Sequence, residues 1–320
     1  MKTTVRERKI VRGGIVAESR RVLIKYVLIK RAAGGIGDIL MHRMLFKDLK
    51  KNFEDKELTL AIPEQYIPLV VDHPYIDRII SIDEIHKNRY GKTFNTLGKA
   101  GAYEFAQMPF VNKHRSDIWA NYLGIELTEH EGYLTFTPDE LSFADDFIDS
   151  FNGDLNVGIA PITAHPSKDI SKRKIKKIIS RLDRAGCRCF VFNDKPLGFR
   201  DSVDVNLDLR HWMAVTAKMD VVVTLATSMF HLANLLHKPT VAIFGVEDLS
   251  VFGKYFPEMV AVQRSREEPD WPFCPCWNSR DCKLRESNMR ENYPPECLKS
   301  ITAKEVYEKV IGLTNGKLAI

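Results

Sequence analysis

The stretch Arg31-Ala-Ala-Gly34-Gly35-Ile36-Gly37-Asp38-Ile39-Leu40 decides how this 320-residue chain is read. Val22 to Lys30 (Val-Leu-Ile-Lys-Tyr-Val-Leu-Ile-Lys) predicts a β-strand ahead of it, and Ile39 to Lys51 predicts a helix behind it. Glycines at 34, 35 and 37 let the backbone turn tightly and approach a ligand with no side chain in the way. Asp38 then stands at the mouth of the first helix, at the C-terminal edge of the expected sheet, where open α/β folds bind ligands. Its carboxylate has two readings: a cap on the helix, or a general base acting on something that enters the cleft. The dinucleotide fingerprint is incomplete, because Leu40 stands where its third glycine belongs. Taken alone, the loop reads as a well-capped turn.

Outward from that loop, composition bounds the answer. The chain is 44% hydrophobic, enough for two domains with cores of their own. It has 47 basic and 42 acidic residues, a net charge of +5 that suits an acidic small-molecule donor or an anionic surface without requiring nucleic acid. Lys2, Arg6, Arg8, Lys9, Arg12, Arg20, Arg21, Lys25 and Lys30 make the first thirty positions the most basic. They read as a solvated arm with a charged edge strand, or as a segment that binds lipid or another polyanion. No apolar run approaches the roughly 18 residues a membrane span needs, and no secretory signal pattern opens the chain. The expectation is a protein of the reducing cytoplasm.

Strands and helices are expected to alternate in two halves. The first contains strands Leu58 to Ile62 and Arg78 to Ile82, with a short helix opened by Pro63 between them. Lys87 to Lys99 reads as a polar loop facing an acceptor. A helix from His114 to Leu123 capped by Gly124, a strand Tyr133 to Phe136, and a helix from Thr137 to about Phe151 complete this half. Asn152-Gly153-Asp154 is the expected hinge. The second half begins at the strand Asn156 to Ala160. It continues with helix Lys174 to Ala185, strand Arg188 to Asn193, helix His211 to Lys218, strand Val221 to Leu225, helix Ser228 to Leu236 and strand Thr240 to Phe244. Such repeats predict parallel sheets covered on both faces. The expected fold is α/β, with two Rossmann-like domains at 1–152 and 153–320 facing a central cleft.

The six cysteines fall into two groups. Cys187 and Cys189 alternate along a predicted strand and read as core residues. Cys274, Cys276, Cys282 and Cys297 gather in the polar, Pro- and Trp-bearing loop 271–297. A structural zinc or iron site is the first reading of that group, with free thiols and disulfides as the others.

An ordered set of segments carries a resemblance. It comprises Gly35-Ile-Gly-Asp-Ile-Leu-Met41, Pro74-Tyr-Ile-Asp-Arg-Ile-Ile80, Ser116-Asp-Ile-Trp-Ala-Asn-Tyr-Leu-Gly124, and Met219 to Ala233 leading to Lys238-Pro-Thr-Val-Ala-Ile-Phe-Gly245. From about Lys25 to about Gly312 the chain resembles the ADP-heptose:lipopolysaccharide heptosyltransferases and related glycosyltransferases (glycosyltransferase family 9). The resemblance implies the two-domain GT-B fold, a nucleotide-diphosphate sugar donor, and a glycan or lipid-linked acceptor near the inner face of a membrane. It also implies catalysis without a cofactor, with Asp38 as the base and inversion at the anomeric carbon.

Gly35, Gly37, Lys168, Thr227, Ser228 and His231 are the residues expected to hold the donor. Thr227 and Ser228 can cap a helix whose free N–H groups suit a diphosphate, and His231 lies one turn in. Lys168 follows the first strand of the second half, with Lys172, Arg173 and Lys174 as nearby alternatives. One departure is Ala226, where the family has an acidic residue. Two other readings stay open: a transferase of the same fold acting on a nucleic-acid base or protein side chain, and a nucleotide-sugar binding protein without catalysis.

Overall fold

A computed structural model describes residues 4–5, 21–22, 25–86, 89–151, 155–164, 168–277 and 295–314. Most of the basic N-terminal residues, the expected hinge at 152–154 and Cys282 lie outside these. Two short strands, β1 (Thr4–Val5) and β2 (Arg21–Val22), pair antiparallel near the start.

The first half is built on β3 (Tyr26–Lys30), which runs into α1 (Ile36–His42) and, after one 3-10 turn, α2 (Phe46–Asn52). β4 (Glu57–Ile62), β5 (Arg78–Ser81) and β6 (Lys92–Asn95) complete a parallel sheet in the order β5-β4-β3-β6. Val27, Leu28 and Ile29 are consecutive and all buried, as a central parallel strand covered on both faces requires. α3 (Lys99–Gln107), α4 (Arg115–Leu123) and α5 (Pro138–Asp149) follow.

Two sequence expectations fail here. The segment 87–99, read as a loop, contains β6, an edge strand with a single buried residue, Phe94, and leads into α3. Its polar composition hid it, because an edge strand needs few apolar side chains. The segment 133–136, read as a strand, forms none. Tyr133 has φ +51°, and the local backbone is held by side chains, with Tyr133 O accepting from Arg43 and Thr135 N donating to Asp72.

The second half is a six-stranded parallel sheet in the order β12-β11-β10-β7-β8-β9. Its strands and helices in chain order are β7 (Leu155–Ala160), α6 (Lys172–Arg184), β8 (Cys187–Phe192), β9 (Val203–Val205), α7 (Leu209–Ala217) and β10 (Val221–Thr224). α8 (Ser228–Leu235), β11 (Thr240–Ile243), α9 (Leu249–Phe252), β12 (Met259–Val262), α10 (Glu296–Ser300) and α11 (Ala303–Leu313) complete it. α6 shows why helices cover the sheet: Ile175, Ile178, Ile179 and Leu182 form one buried stripe on an otherwise charged helix. Each such side chain contributes about 1.5–3 kcal/mol when buried. Cys187 and Cys189 are buried in β8 as expected, and burial pushes the Cys187 thiol up to about 11.

One apolar core joins the halves, running from Ile39 and Leu40 of α1 to Phe230 and Leu232 of α8. α1 packs directly on α8 and α5 on α7, and Phe147 and Phe151 meet Phe190 of β8. Arg210 of α7 adds polar ties, binding Glu140 at 2.6 Å and Asp72 at 3.1 Å. Among the described residues no helix is long and apolar enough to cross a membrane.

Candidate active site

The N-termini of α1 and α8 meet at the C-terminal edges of the two sheets, and the expected site residues lie around that meeting point. A Cβ placed on Gly37 would fall 2.7 Å from His231 Cδ2 and 3.6 Å from Ser228 Cα, so this position admits no side chain. Gly34 has φ +126° and faces the Arg31 guanidinium, whereas Gly35 has open space around it. The three glycines therefore serve different needs, and close approach is required at 34 and 37.

Asp38 does not cap its helix. α1 has no side-chain cap bond, and the Asp38 carboxylate turns instead to two arginines. Arg31 Nη2 donates to Oδ2 at 2.7 Å, and Arg115 Nη1 donates to Oδ1 at 2.8 Å. Burial works to raise the Asp38 pKa, but the charges of Arg115 and Arg31 outweigh it and hold the carboxyl below its ordinary range. Arg115 is itself gripped by Glu104 of α3, at 2.6 and 2.9 Å, and burial of its charge is more than offset by Glu104 and Asp38. Arg31 lies over the Trp119 ring at 5.2 Å. Behind the carboxylate, the buried His42 bonds Asp38 O at 2.7 Å and Thr96 Oγ1 at 2.9 Å. Burial pushes this imidazole down to about 3, so it stays neutral.

Across the interface, Thr227 caps α8: its Oγ1 accepts from Met229 N at 3.2 Å, and Ser228 is the first helical residue. His231 is half-buried, and desolvation, followed by the charges of His114 and Arg115, brings its pKa down to about 3. It is a neutral imidazole. Lys168 forms an ion pair with Glu247 and lies close enough for its charge to bear on His231. Lys174, one of the alternatives, is turned away, donating to Leu298 O and Lys299 O at 2.7 and 2.9 Å.

Beside the start of α8 opens a cavity of about 400 Å³, floored by the ends of β7, β8 and β9 and lined by Ile36, Ile162, Asn193, Leu207 and Trp212 as well as Thr227. Its walls are mostly apolar with a few polar groups, the usual make-up of a small-molecule site. Sequence reasoning missed Arg31, Arg115, Glu104 and Glu247. Arg31 opens the stretch quoted first and Arg115 borders the segment 116–124, but nothing local shows that both reach Asp38.

The late cysteines are only partly described. Cys274 and Cys297 are in contact, which lowers the Cys297 pKa, while Cys276 packs against Val246. Among the described residues no three His, Cys, Asp or Glu side chains gather to hold a metal ion. The expected set of four thiolates is thus not assembled by the three described cysteines, and the fourth, Cys282, lies outside the described residues.

Two parallel α/β sheets meeting at a cleft, with an acid on one side and a helix start on the other, have the GT-B architecture. The sequence profile of glycosyltransferase family 9 (heptosyltransferase) matches residues 93–271, and the chain belongs to that family. Its fold is similar to that of the E. coli ADP-heptose lipopolysaccharide heptosyltransferase II, with 15% identity, TM-score 0.65, and 92% of this chain and 99% of that one covered. The family 9 transferase of Veillonella parvula gives 14% identity and TM-score 0.67, with 90% of this chain and 97% of that one covered. The dodecameric iron-containing heptosyltransferase TibC, solved with ADP-D-β-D-heptose, gives 16% identity and TM-score 0.65, with 97% and 82% covered. No curated protein sequence matches the chain.

Proposed function

We propose that this glycosyltransferase moves a heptose or related hexose from a nucleoside diphosphate to a hydroxyl of a glycan or lipid-linked acceptor, with inversion. The acceptor sits on the first half of the chain (1–152) and the donor on the second (153–320). The observation that carries this reading is the apposition of Asp38 to the α8 start and His231, whose ring also feels the charge of Lys168.

Asp38 is the base. Its arginines keep it ionised at neutral pH, and each carboxylate oxygen retains a lone pair beyond the one each arginine takes. A low pKa makes a weak base, which suffices when the proton leaves late. As the acceptor oxygen bonds to the anomeric carbon it becomes strongly acidic, and the proton passes to Asp38. The leaving diphosphate is met by the α8 N–H groups and Lys168, which stabilise charge as it develops. His231, being neutral, donates one ordinary hydrogen bond. The nucleoside occupies the cavity at Trp212 and Ile162.

A panel of ADP-, UDP- and GDP-linked hexoses and heptoses, screened by thermal shift, tests the proposal. A true donor at 100 times its Kd should add about 2.7 kcal/mol of stability. If no member of the panel raises the melting temperature, the donor assignment is wrong.

A further inference from the structure

The carboxylates at the C-terminal edge of the second sheet are not equally occupied. Asp208 caps α7, Asp248 caps α9, and Asp169 accepts from Thr163 N at 2.7 Å. The turn that leads to α8 supplies Ala226 and no acid. Glu247, which follows β11, differs from all of these. Its Oε1 is bound by Lys168, and its Oε2 is buried with no hydrogen-bond partner. A buried carboxylate oxygen left unsatisfied costs at least about 1–3 kcal/mol and calls for a reason.

The turn that carries Glu247 is rigidly built. Gln263, just past β12, donates through Nε2 to Gly245 O and Glu247 O and accepts from Leu249 N. The Glu247 backbone is thus fixed, and the more exposed member of the pair is Lys168, whose side chain is 29% exposed against 12% for Glu247. Lys168 is the cation expected to meet the donor diphosphate. If it turns to the phosphates, Glu247 Oε1 loses its partner as well.

We propose that Glu247 is a sugar-reading residue: its carboxylate accepts hydroxyls of the donor's glycosyl ring once Lys168 has left it for the diphosphate. The inference rests on the donor assignment made above and adds to it the residue that distinguishes a nucleotide sugar from a bare nucleotide. A carboxylate with two free oxygens suits a ring with two adjacent hydroxyls, and it disfavours a ring that presents a carboxylate of its own. Because Lys168 shields Glu247 until phosphate arrives, free sugar gains little from the site.

Calorimetry with the tightest-binding nucleotide sugar of the panel and its own nucleoside diphosphate is the test, on wild type and Glu247→Gln. The variant should bind the diphosphate as well as wild type or better, since Lys168 is no longer held back. It should lose at least about tenfold in affinity for the nucleotide sugar, the range of one charged hydrogen bond. Glu247→Asp, which keeps the charge but withdraws it by one methylene, should show the same split if the Gln variant fails to accumulate. Parallel weakening of both ligands would mean that Glu247 only positions Lys168, and unchanged affinity for both would remove it from the site. Either result overturns this inference alone. Failure of wild type to bind any nucleotide sugar overturns the donor assignment, and this inference with it.

Discussion

Gly37 and His231 lie in direct apposition across the two halves of the chain, with no room for even a methyl group between the Gly37 backbone and the His231 ring. This contact lets α1 and α8 bring their N-termini together, and it sets the distance between Asp38 and the α8 start. Gly37 acts here through the absence of a side chain.

Gly37→Ala should therefore force the helices apart or displace His231. Overpacking of this kind costs about 1–3 kcal/mol, and a shift of about 1 Å in a catalytic pair can cost a hundredfold in rate. The expected result is a small loss in melting temperature with a disproportionate fall in kcat. A variant with wild-type turnover would show that this contact does not set the active geometry.

Asp38→Asn should preserve donor binding and reduce turnover by at least about a hundredfold, the usual contribution of a general base. Single-turnover rates at saturating donor and acceptor, with calorimetry on the donor, separate the two effects. Rates within a few-fold of wild type would remove Asp38 from the chemistry.

Arg115→Met deletes the strongest influence lowering the Asp38 pKa. The carboxyl should rise toward its ordinary value or past it, because the burial that works to raise it is then opposed by Arg31 alone among the arginines. The acid limb of kcat/KM then moves to higher pH, because Asp38 is now protonated over a wider acidic range. An unmoved acid limb would mean that Asp38 is not the group titrating in the profile.

Lys168→Ala should weaken a nucleoside diphosphate by about 1.5–3 kcal/mol and leave the nucleoside unaffected, since a charged contact to phosphate is lost. His231→Ala should cost less, about 0.5–1.5 kcal/mol, because the ring is neutral in the folded protein. Equal losses for nucleoside and diphosphate would assign both residues to packing.

Three buried histidines make stability depend on pH. Burial lowers His42 and His73 to about 3 and His114 to about 4, from the ordinary 6.5. Below pH 6.5 the unfolded chain takes up protons that the folded one refuses, so stability falls as pH falls, and the loss continues down to the folded values. Each histidine contributes a slope of up to about 1.4 kcal/mol per pH unit in that window. The depressed Asp38 acts only lower, below the ordinary carboxylate value near 4, where its stabilisation is lost in turn. Denaturant unfolding at pH 7, 6 and 5 should show a steady loss, and a flat profile would mean these rings ionise freely in the fold.

Elements whose signals are local can be read from the chain. α5 starts from Thr137 as expected, with Thr137 and Glu140 forming a capping box, Gly124 closes α4 with φ +72°, and the apolar runs of β7, β10 and β11 are buried central strands. The sequence also placed Asp38 at the C-terminal edge of the first sheet and Lys168, Thr227, Ser228 and His231 at that of the second, because parallel α/β connections leave little choice of where such turns lie. Tertiary structure decided what depends on distant partners. β6 exists because β3 offers it an edge, and 133–136 is no strand because Arg43 and Asp72 take its backbone groups. Asp38 is an arginine-paired carboxylate and not a cap because Arg31 and Arg115 reach it from β3's end and from α4. Glu247 meets Lys168 across 79 positions. Charge pairing acts over a few ångströms of space at any sequence separation. Caps, turns and strand periodicity are settled within a few residues, and only those could be read from the chain as written.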